Sequence, residues 1–258
     1  MIRKMKKNDR IDEIYKKLQV EKSLKINDIL KDLNISIATL RRDLSTMEKK
    51  GLIYKGYGHI RLVEEDMKFE PSYIYRLSKN KDLKRRIAKK VIELLKNRDS
   101  IFLDVGSTTL NVVDLLPLNI ELSIITNWIP IATKISECKK HQCFLIGGEV
   151  RKEELSVGPI DTKKELSLYN INKAFICASG VSLEKGISDY SDIEIKTKQE
   201  VMRNAEENIL LVDSTKFNKT GFLNVCRLED FDKIIVDDNL DKEIISKLEK
   251  KGIEVILA

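Results

Sequence analysis

Histidine and cysteine are scarce in this chain, and no long apolar run interrupts it. The 258 residues include two histidines, His59 and His141, and four cysteines, Cys138, Cys143, Cys177 and Cys226. The cysteines are widely scattered, which excludes both the close spacing of a zinc site and a dense disulfide framework. They read as reduced, mostly buried thiols, and no metal or cofactor is expected. No apolar stretch approaches the ~18 residues that cross a bilayer, and the opening MIRKMKKNDR leads into IDEIYKK rather than an apolar signal core. A cytoplasmic protein with no membrane partner is expected. The remaining composition, 42% apolar and 34% charged, is that of a globular chain with one large domain, or one large and one small. Fibrous and disordered classes are excluded.

The formal net charge of +6 is unevenly spread. Residues 1–63 hold 16 Lys and Arg against 8 Asp and Glu, and the remainder holds 31 against 33. All the excess positive charge lies in the first quarter. A basic module joined to a near-neutral one implies that the first meets a polyanion. A solvated basic face is the plainer alternative, and charge alone favours neither.

Three short helices fit the basic quarter. Ile11, Ile14, Tyr15 and Leu18 line one face of a first helix, and Ile26, Ile29, Leu30 and Leu33 line a second. A tight turn at Asn34-Ile35 follows, with Ser36 placed to cap a third helix that runs to about Lys50 and stops at Gly51. This is a helix-turn-helix layout. At ~100° per residue Leu40, Leu44 and Met47 share one side of the third helix, with Ile37 nearby, while Ala38, Arg42, Ser45 and Lys49 lie opposite. Small residues allow close approach, and a guanidinium matches a guanine edge or a pair of phosphate oxygens. Thr39 and Arg41 flank that stripe and suit backbone phosphates. A solvated helix explains the two arginines alone, but not the cap, the small residues and the basic balance together. DNA binding is the expectation, with a protein-docking winged helix as the alternative. The following LIYKGYGHIRL reads as a hairpin wing, from which Lys55, His59 and Arg61 reach phosphates.

These residues resemble the DeoR-type winged helix-turn-helix of bacterial transcription regulators. The resemblance rests on Arg10, Ile14 and Leu18, then Ser36, Thr39, Leu40, Arg41, Arg42, Asp43 and Leu44, the family's S-x-x-T-L-R-R-D-L. Tyr57-Gly58-His59-Ile60 departs from the family's H-G-G-A in the wing. Asp43, beside the buried face, is expected to pair with Arg10.

Residues 64–80 are polar and read as a linker between a DNA-binding domain at 7–63 and a larger domain at 81–258. Beyond it, SIFLD, LSIIT, CFLIG, KAFICA, NILLVD, KIIVD and IEVIL are strand-length β-branched runs, several separated by helical stretches. Such alternation predicts an α/β domain with a mainly parallel sheet. Ligands of such sheets bind at the carboxyl ends of the strands. After IFLD, Gly106 allows a tight turn, and Ser107, Thr108 and Thr109 at a helix start offer an anion cradle. Asp213 precedes Ser214, Thr215 and Lys216, a hydroxyl and an ammonium at a second strand end. Thr126-Asn127 and Gly147-Gly148 leave two others. A glycine turn with an ordinary cap, a surface lysine and a simple hairpin are the plainer readings of these pieces.

The second half is similar to the DeoR C-terminal sensor domain, itself similar in fold to ribose-5-phosphate isomerase and glucosamine-6-phosphate deaminase. The family's L-D-x-G-T-T-T falls on Leu103 to Thr109, its T-N on Thr126-Asn127, its G-G-x-x-R on Gly147, Gly148 and Arg151, its helical lysine on Lys198, and its D-S-x-K on Asp213, Ser214 and Lys216. The resemblance implies a regulator, usually a repressor of sugar-catabolism genes, whose effector is a phosphorylated sugar or related metabolite. Asp104 is expected to accept a sugar hydroxyl. A sugar-phosphate isomerase or deaminase with a DNA-binding appendage is the alternative, yet the turn after KAFICA reads Ser179-Gly180-Val181, without a carboxylate until Glu184. Helix-turn-helix proteins bind paired half-sites as dimers, so a homo-oligomer is expected, dimer or tetramer.

Overall fold

The computed structural model describes residues 5–49, 52–56, 58–62, 70–71 and 73–258, without the side chains of Gln19, Lys49, Arg61, Leu62 and Ile74. The chain divides into two compact units, 1–79 and 80–258.

The first unit holds α1 (Lys7–Glu21), β1 (Ser23–Lys25), α2 (Ile26–Leu33), α3 (Ile37–Lys49), β2 (Ile53–Lys55), β3 (His59–Leu62) and α4 (Tyr73–Ser78). Ile11, Ile14 and Leu18 of α1 and Ile29 of α2 meet Leu40, Leu44 and Met47 of α3 in one buried cluster. Asn34 closes α2 in the left-handed conformation at φ 46°. The wing is a β2–β3 hairpin, but a third strand joins it: β1 pairs antiparallel with β3, Leu24 opposite Ile60, and both side chains are buried. Three residues are too short for a period-2 pattern, so sequence alone did not expose β1. The expected helix stop at Gly51 and the residues 63–69 lie outside the described ones. The stretch 64–80, expected as a linker, carries α4. Tyr75 of α4 is buried, and Arg76 donates to Glu70 at 2.9 Å and to the Pro71 carbonyl at 3.1 Å.

The second unit runs α5 (Lys81–Glu93), β4 (Ser100–Leu103), α6 (Ser107–Val113), β5 (Ser123–Thr126), α7 (Ile129–Ser136), β6 (Gln142–Leu145), β7 (Glu149–Arg151), β8 (Ser156–Gly158), α8 (Thr162–Leu166), β9 (Ile171–Cys177), β10 (Gly180–Ser182), β11 (Gly186–Asp189), α9 (Asp192–Asn204), β12 (Ala205–Leu211), β13 (Leu223–Cys226), β14 (Lys233–Val236), α10 (Lys242–Lys250) and β15 (Glu254–Leu257). All seven runs anticipated as strands enter one sheet, ordered β15-β14-β12-β9-β4-β5-β6. Every pairing in it is parallel. From β4 the chain first builds outward through β5 and β6, then crosses to β9 and builds the other way. The switch point therefore falls between β4 and β9, where an open α/β sheet leaves a crevice beyond its carboxyl edge. A smaller sheet, β10-β11-β13, and the β7–β8 hairpin stand beside it.

Candidate functional site

Ser36 caps α3 as expected: its Oγ accepts the Thr39 N–H at 3.2 Å and lies 2.9 Å from Thr39 Oγ1. Leu40, Asp43, Leu44 and Met47 are buried, while Ala38, Arg41 and Arg42 are exposed and Ser45 half-buried. Ile37 is not part of the docked face; it is 48% exposed. As the first residue of the helix it projects beyond the Leu40 turn, which already fills the contact with α1. Asp43 is almost fully buried because Arg10 grips it with two bonds, Nε to Oδ2 at 2.8 Å and Nη2 to Oδ1 at 3.2 Å. Arg10 also donates Nη1 to the Met5 carbonyl at 2.6 Å, and its hydrogen bond to Asp43 raises its pKa. Arg41 and Arg42, by contrast, have no ion-pair partner among the described residues. Lys55 is held by Glu48 at 2.5 Å, which ties the wing to α3. The side chain of Lys49 lies outside the described ones.

At the switch point the second unit buries a charge cluster. Lys198 of α9, 1% exposed, reaches Asp104 Oδ2 at 3.0 Å, Asp189 Oδ2 at 2.6 Å and the Cys177 carbonyl at 2.9 Å. The ammonium donates to the Asp189 carboxylate and the Cys177 carbonyl and is ion-paired with Asp104. Burial lowers the Lys198 pKa, but the two carboxylates more than reverse it and leave it well above its ordinary value. Asp104 Oδ2 also accepts the Cys177 N–H at 2.9 Å, and Asp189 Oδ1 accepts the Ser179 hydroxyl at 2.8 Å and the Tyr190 N–H at 3.1 Å. The Cys177 thiol, enclosed here beside Asp104, is pushed up to about 12, so it stays protonated and unreactive. Asp104, expected to take a ligand hydroxyl, thus has an internal partner. Asp189 is the member that sequence reading missed; it ends a short strand, β11, with no motif to mark it.

The expected cradle starts α6. Gly106 is not needed for a turn conformation, since its φ of −176° is extended backbone that any residue adopts. It is needed for space: a Cβ there would lie 2.4 Å from Cys177 Sγ and 2.9 Å from Cys177 Cβ. Thr109 is spent on structure, its Oγ1 donating within 2.7 Å of the Asp104 and Gly106 carbonyls. The hydroxyls of Ser107 and Thr108 have no partner among the described residues. Thr126 donates to the Leu103 carbonyl at 2.8 Å, and neighbouring Asn127, 1% exposed, donates Nδ2 to the Val157 carbonyl at 3.3 Å while its Oδ1 has no partner among the described residues.

Arg151 of β7 donates to Glu194 Oε1 at 2.9 Å, and the same oxygen accepts the Ser156 hydroxyl at 2.6 Å. Glu194 lies one turn before Lys198 on α9, so Arg151 is carried to the helix that holds the buried lysine. Gly147 meets no neighbour that a Cβ would strike, whereas Gly148, at φ 144°, has the Gly158 carbonyl where a Cβ would be, 2.0 Å away. The pair is not a hairpin turn, because β6 and β7 do not pair with each other. Lys216 ends a 3₁₀ turn after β12, held by Asp213, which accepts the Thr215 N–H at 3.2 Å. β12 lies two strands from β4, so the carboxyl ends of these two strands are ~10 Å apart.

No metal-holding group of three or more His, Cys, Asp or Glu occurs among the described residues, and no helix among them is long and apolar enough to cross a membrane.

Comparison with known proteins places both units. The model of the DeoR-like helix-turn-helix domain matches residues 10–66, and that of the DeoR C-terminal sensor domain matches residues 79–238. The chain is similar to a lactose phosphotransferase system repressor of Staphylococcus epidermidis, 34% identical over 98% of this chain and 100% of the relative. It is also similar to the HTH-type transcriptional regulator IolR of Bacillus subtilis, 28% identical over 96% and 98%. A ribose-5-phosphate isomerase structure from Methanocaldococcus jannaschii aligns with 54% of this chain and 55% of its own, at 20% identity and a TM-score of 0.38. With one model spanning the capped helix and wing and the other running from the start of α5 past the end of β14, the chain belongs to the DeoR family of transcription regulators.

Proposed function

We propose that the protein represses sugar-metabolism genes by binding operator DNA through α3, and that a phosphorylated sugar or related metabolite, bound at the carboxyl edge of the sensor sheet, controls that binding. The carrying observation is the contrast between arginines of one unit. Arg10 is consumed by Asp43, whereas Arg41 and Arg42 stand exposed, with no ion-pair partner among the described residues, on a capped, firmly docked helix beside Ala38. Such a face suits phosphates and a guanine edge. Ser36, Thr39, Ser45, Lys49 and Lys55 complete the proposed DNA surface.

For the effector, Ser107 and Thr108 supply uncommitted hydroxyls at a helix start, Asn127 an uncommitted acceptor, and Lys216 and Arg151 cationic heads. Asp104, Gly106, Thr109, Thr126, Gly147, Gly148 and Lys198 shape and brace that crevice. An isomerase needs a carboxylate free to take a proton from carbon. Here Lys198 holds both Asp104 and Asp189, and the turn after β9 offers none, so regulation is the better reading.

The test is anisotropy on a duplex that the protein itself selects from a random pool. Arg42→Ala is expected to cost about 1–3 kcal/mol and relax preference at one base pair. Unchanged affinity in the folded variant removes α3 from the groove.

A further inference from the structure

We propose that the free edge of β6 joins two copies of this chain, strand against antiparallel strand about a two-fold axis through Phe144. Among the described residues β6 terminates the seven-stranded sheet, with only β5 beside it. Its residues, Gln142, Cys143, Phe144 and Leu145, include neither charge nor proline, the devices that keep sheet edges apart. Successive side chains of a strand point to opposite faces. Phe144 is nevertheless 38% and Leu145 42% exposed, so apolar surface borders this edge on both sides. On the Phe144 side it continues into Tyr169, the two ring centroids 6.0 Å apart, and the adjacent Leu168 is 73% exposed.

The backbone fixes a register. Gln142 N–H donates to the Leu122 carbonyl and Ile146 N–H to the Thr126 carbonyl, each at 2.9 Å. Alternation along the strand then turns the N–H and C=O of Cys143 and Leu145 away from β5, outward. With Phe144 opposite its own copy, Cys143 faces Leu145 of the partner subunit and Leu145 faces Cys143 of the partner subunit. Each is a pair that exchanges two hydrogen bonds, and Phe144 occupies the closer, non-bonded position between them. Within the four residues of the strand, this is the register that pairs both outward residues in this way.

The occupant is a second copy for two reasons. An antiparallel strand pair of identical segments is generated by a two-fold axis, the symmetry of an isologous dimer. The charges at the strand's ends are also self-complementary. Lys139 precedes β6 and Glu149 follows it; both are exposed and neither has a partner among the described residues. Reversing the second strand carries the Lys139 end of one copy toward the Glu149 end of the other. The inference stands on the sheet edge and is independent of the effector reading.

Sedimentation equilibrium of the full chain tests it, with circular dichroism to verify that each variant is folded. Phe144→Lys places two ammonium groups on the axis and is expected to halve the mass of the wild-type assembly, with at least a tenfold weaker association. Lys139→Glu and Glu149→Lys are each expected to weaken association, and the double reversal to restore it. A monomeric wild-type chain, or an assembly that folded Phe144→Lys leaves intact, overturns the proposal, as does a double reversal no better than the singles.

Discussion

A buried ammonium with two buried carboxylates is stable only while every member keeps its partners. Removing one partner of a buried pair typically costs about 3–5 kcal/mol, because the remaining charge stays buried and uncompensated. Lys198→Met keeps the length of the side chain and deletes the charge, leaving Asp104 and Asp189 turned toward one another. The expected outcome in urea denaturation is a loss of that size in the second unit. A loss below 1 kcal/mol shows that the cluster does not brace the switch point. His141, between α7 and β6, is buried with neither ring nitrogen partnered among the described residues, and burial together with Lys140 lowers its pKa. Its proton therefore binds the unfolded chain more tightly. Stability is complete above the unfolded value of about 6.5 and falls as the pH drops through it. A melting temperature that declines from pH 7.5 to 5.5 in the wild type, and less in His141→Leu, is expected; identical slopes exclude His141 as the cause.

Elements differ in how openly their sequences announce them. The seven strands of the main sheet were legible because a buried parallel sheet demands continuous β-branched runs, as in NILLVD and KIIVD. α3 was legible from its cap, its apolar stripe and its arginines. β1, β10 and β11 were not, since SLK, GVS and GISD contain no continuous β-branched run and are defined by their partners. The same holds for the candidate site: Asp104, Ser107 and Asn127 follow obvious strands, whereas Asp189 and Glu194 reach the cluster only through tertiary packing. Gly106 was legible as a glycine but not for its reason, which lies in β9. Gly106→Ala is expected to cost about 1–3 kcal/mol by overpacking against Cys177, with part recovered in Cys177→Ala. Equal stability of Gly106→Ala and wild type on thermal melting shows that β9 yields to the added methyl. Between α1 and α3, Arg10→Ala and Asp43→Ala are each expected to destabilise the first unit, and the double variant to cost less than their sum. Strict additivity in that cycle removes the pair as the clasp.

At the scale of the whole molecule, the chain distributes its charge by task. The basic excess lies in the first unit, where α3 leaves guanidiniums exposed, while the near-neutral second unit buries one charge cluster around Lys198. In the proposed function the crevice of the second unit senses a phosphorylated sugar, and the DNA face is a separable device that the sensor controls. Lys216 belongs to the sensor alone. A charge-assisted hydrogen bond contributes about 1.5–3 kcal/mol, more than a tenfold change in affinity. The most direct measurement is anisotropy of the selected duplex with wild type and Lys216→Ala, titrated with a panel of sugar phosphates and the matching neutral sugars. One phosphorylated sugar is expected to shift the wild-type affinity for DNA while its neutral form does not. Lys216→Ala is expected to bind DNA normally and to need more than tenfold more effector for the same shift. A neutral sugar acting equally well, or a Lys216→Ala response at wild-type concentrations, contradicts the proposed function.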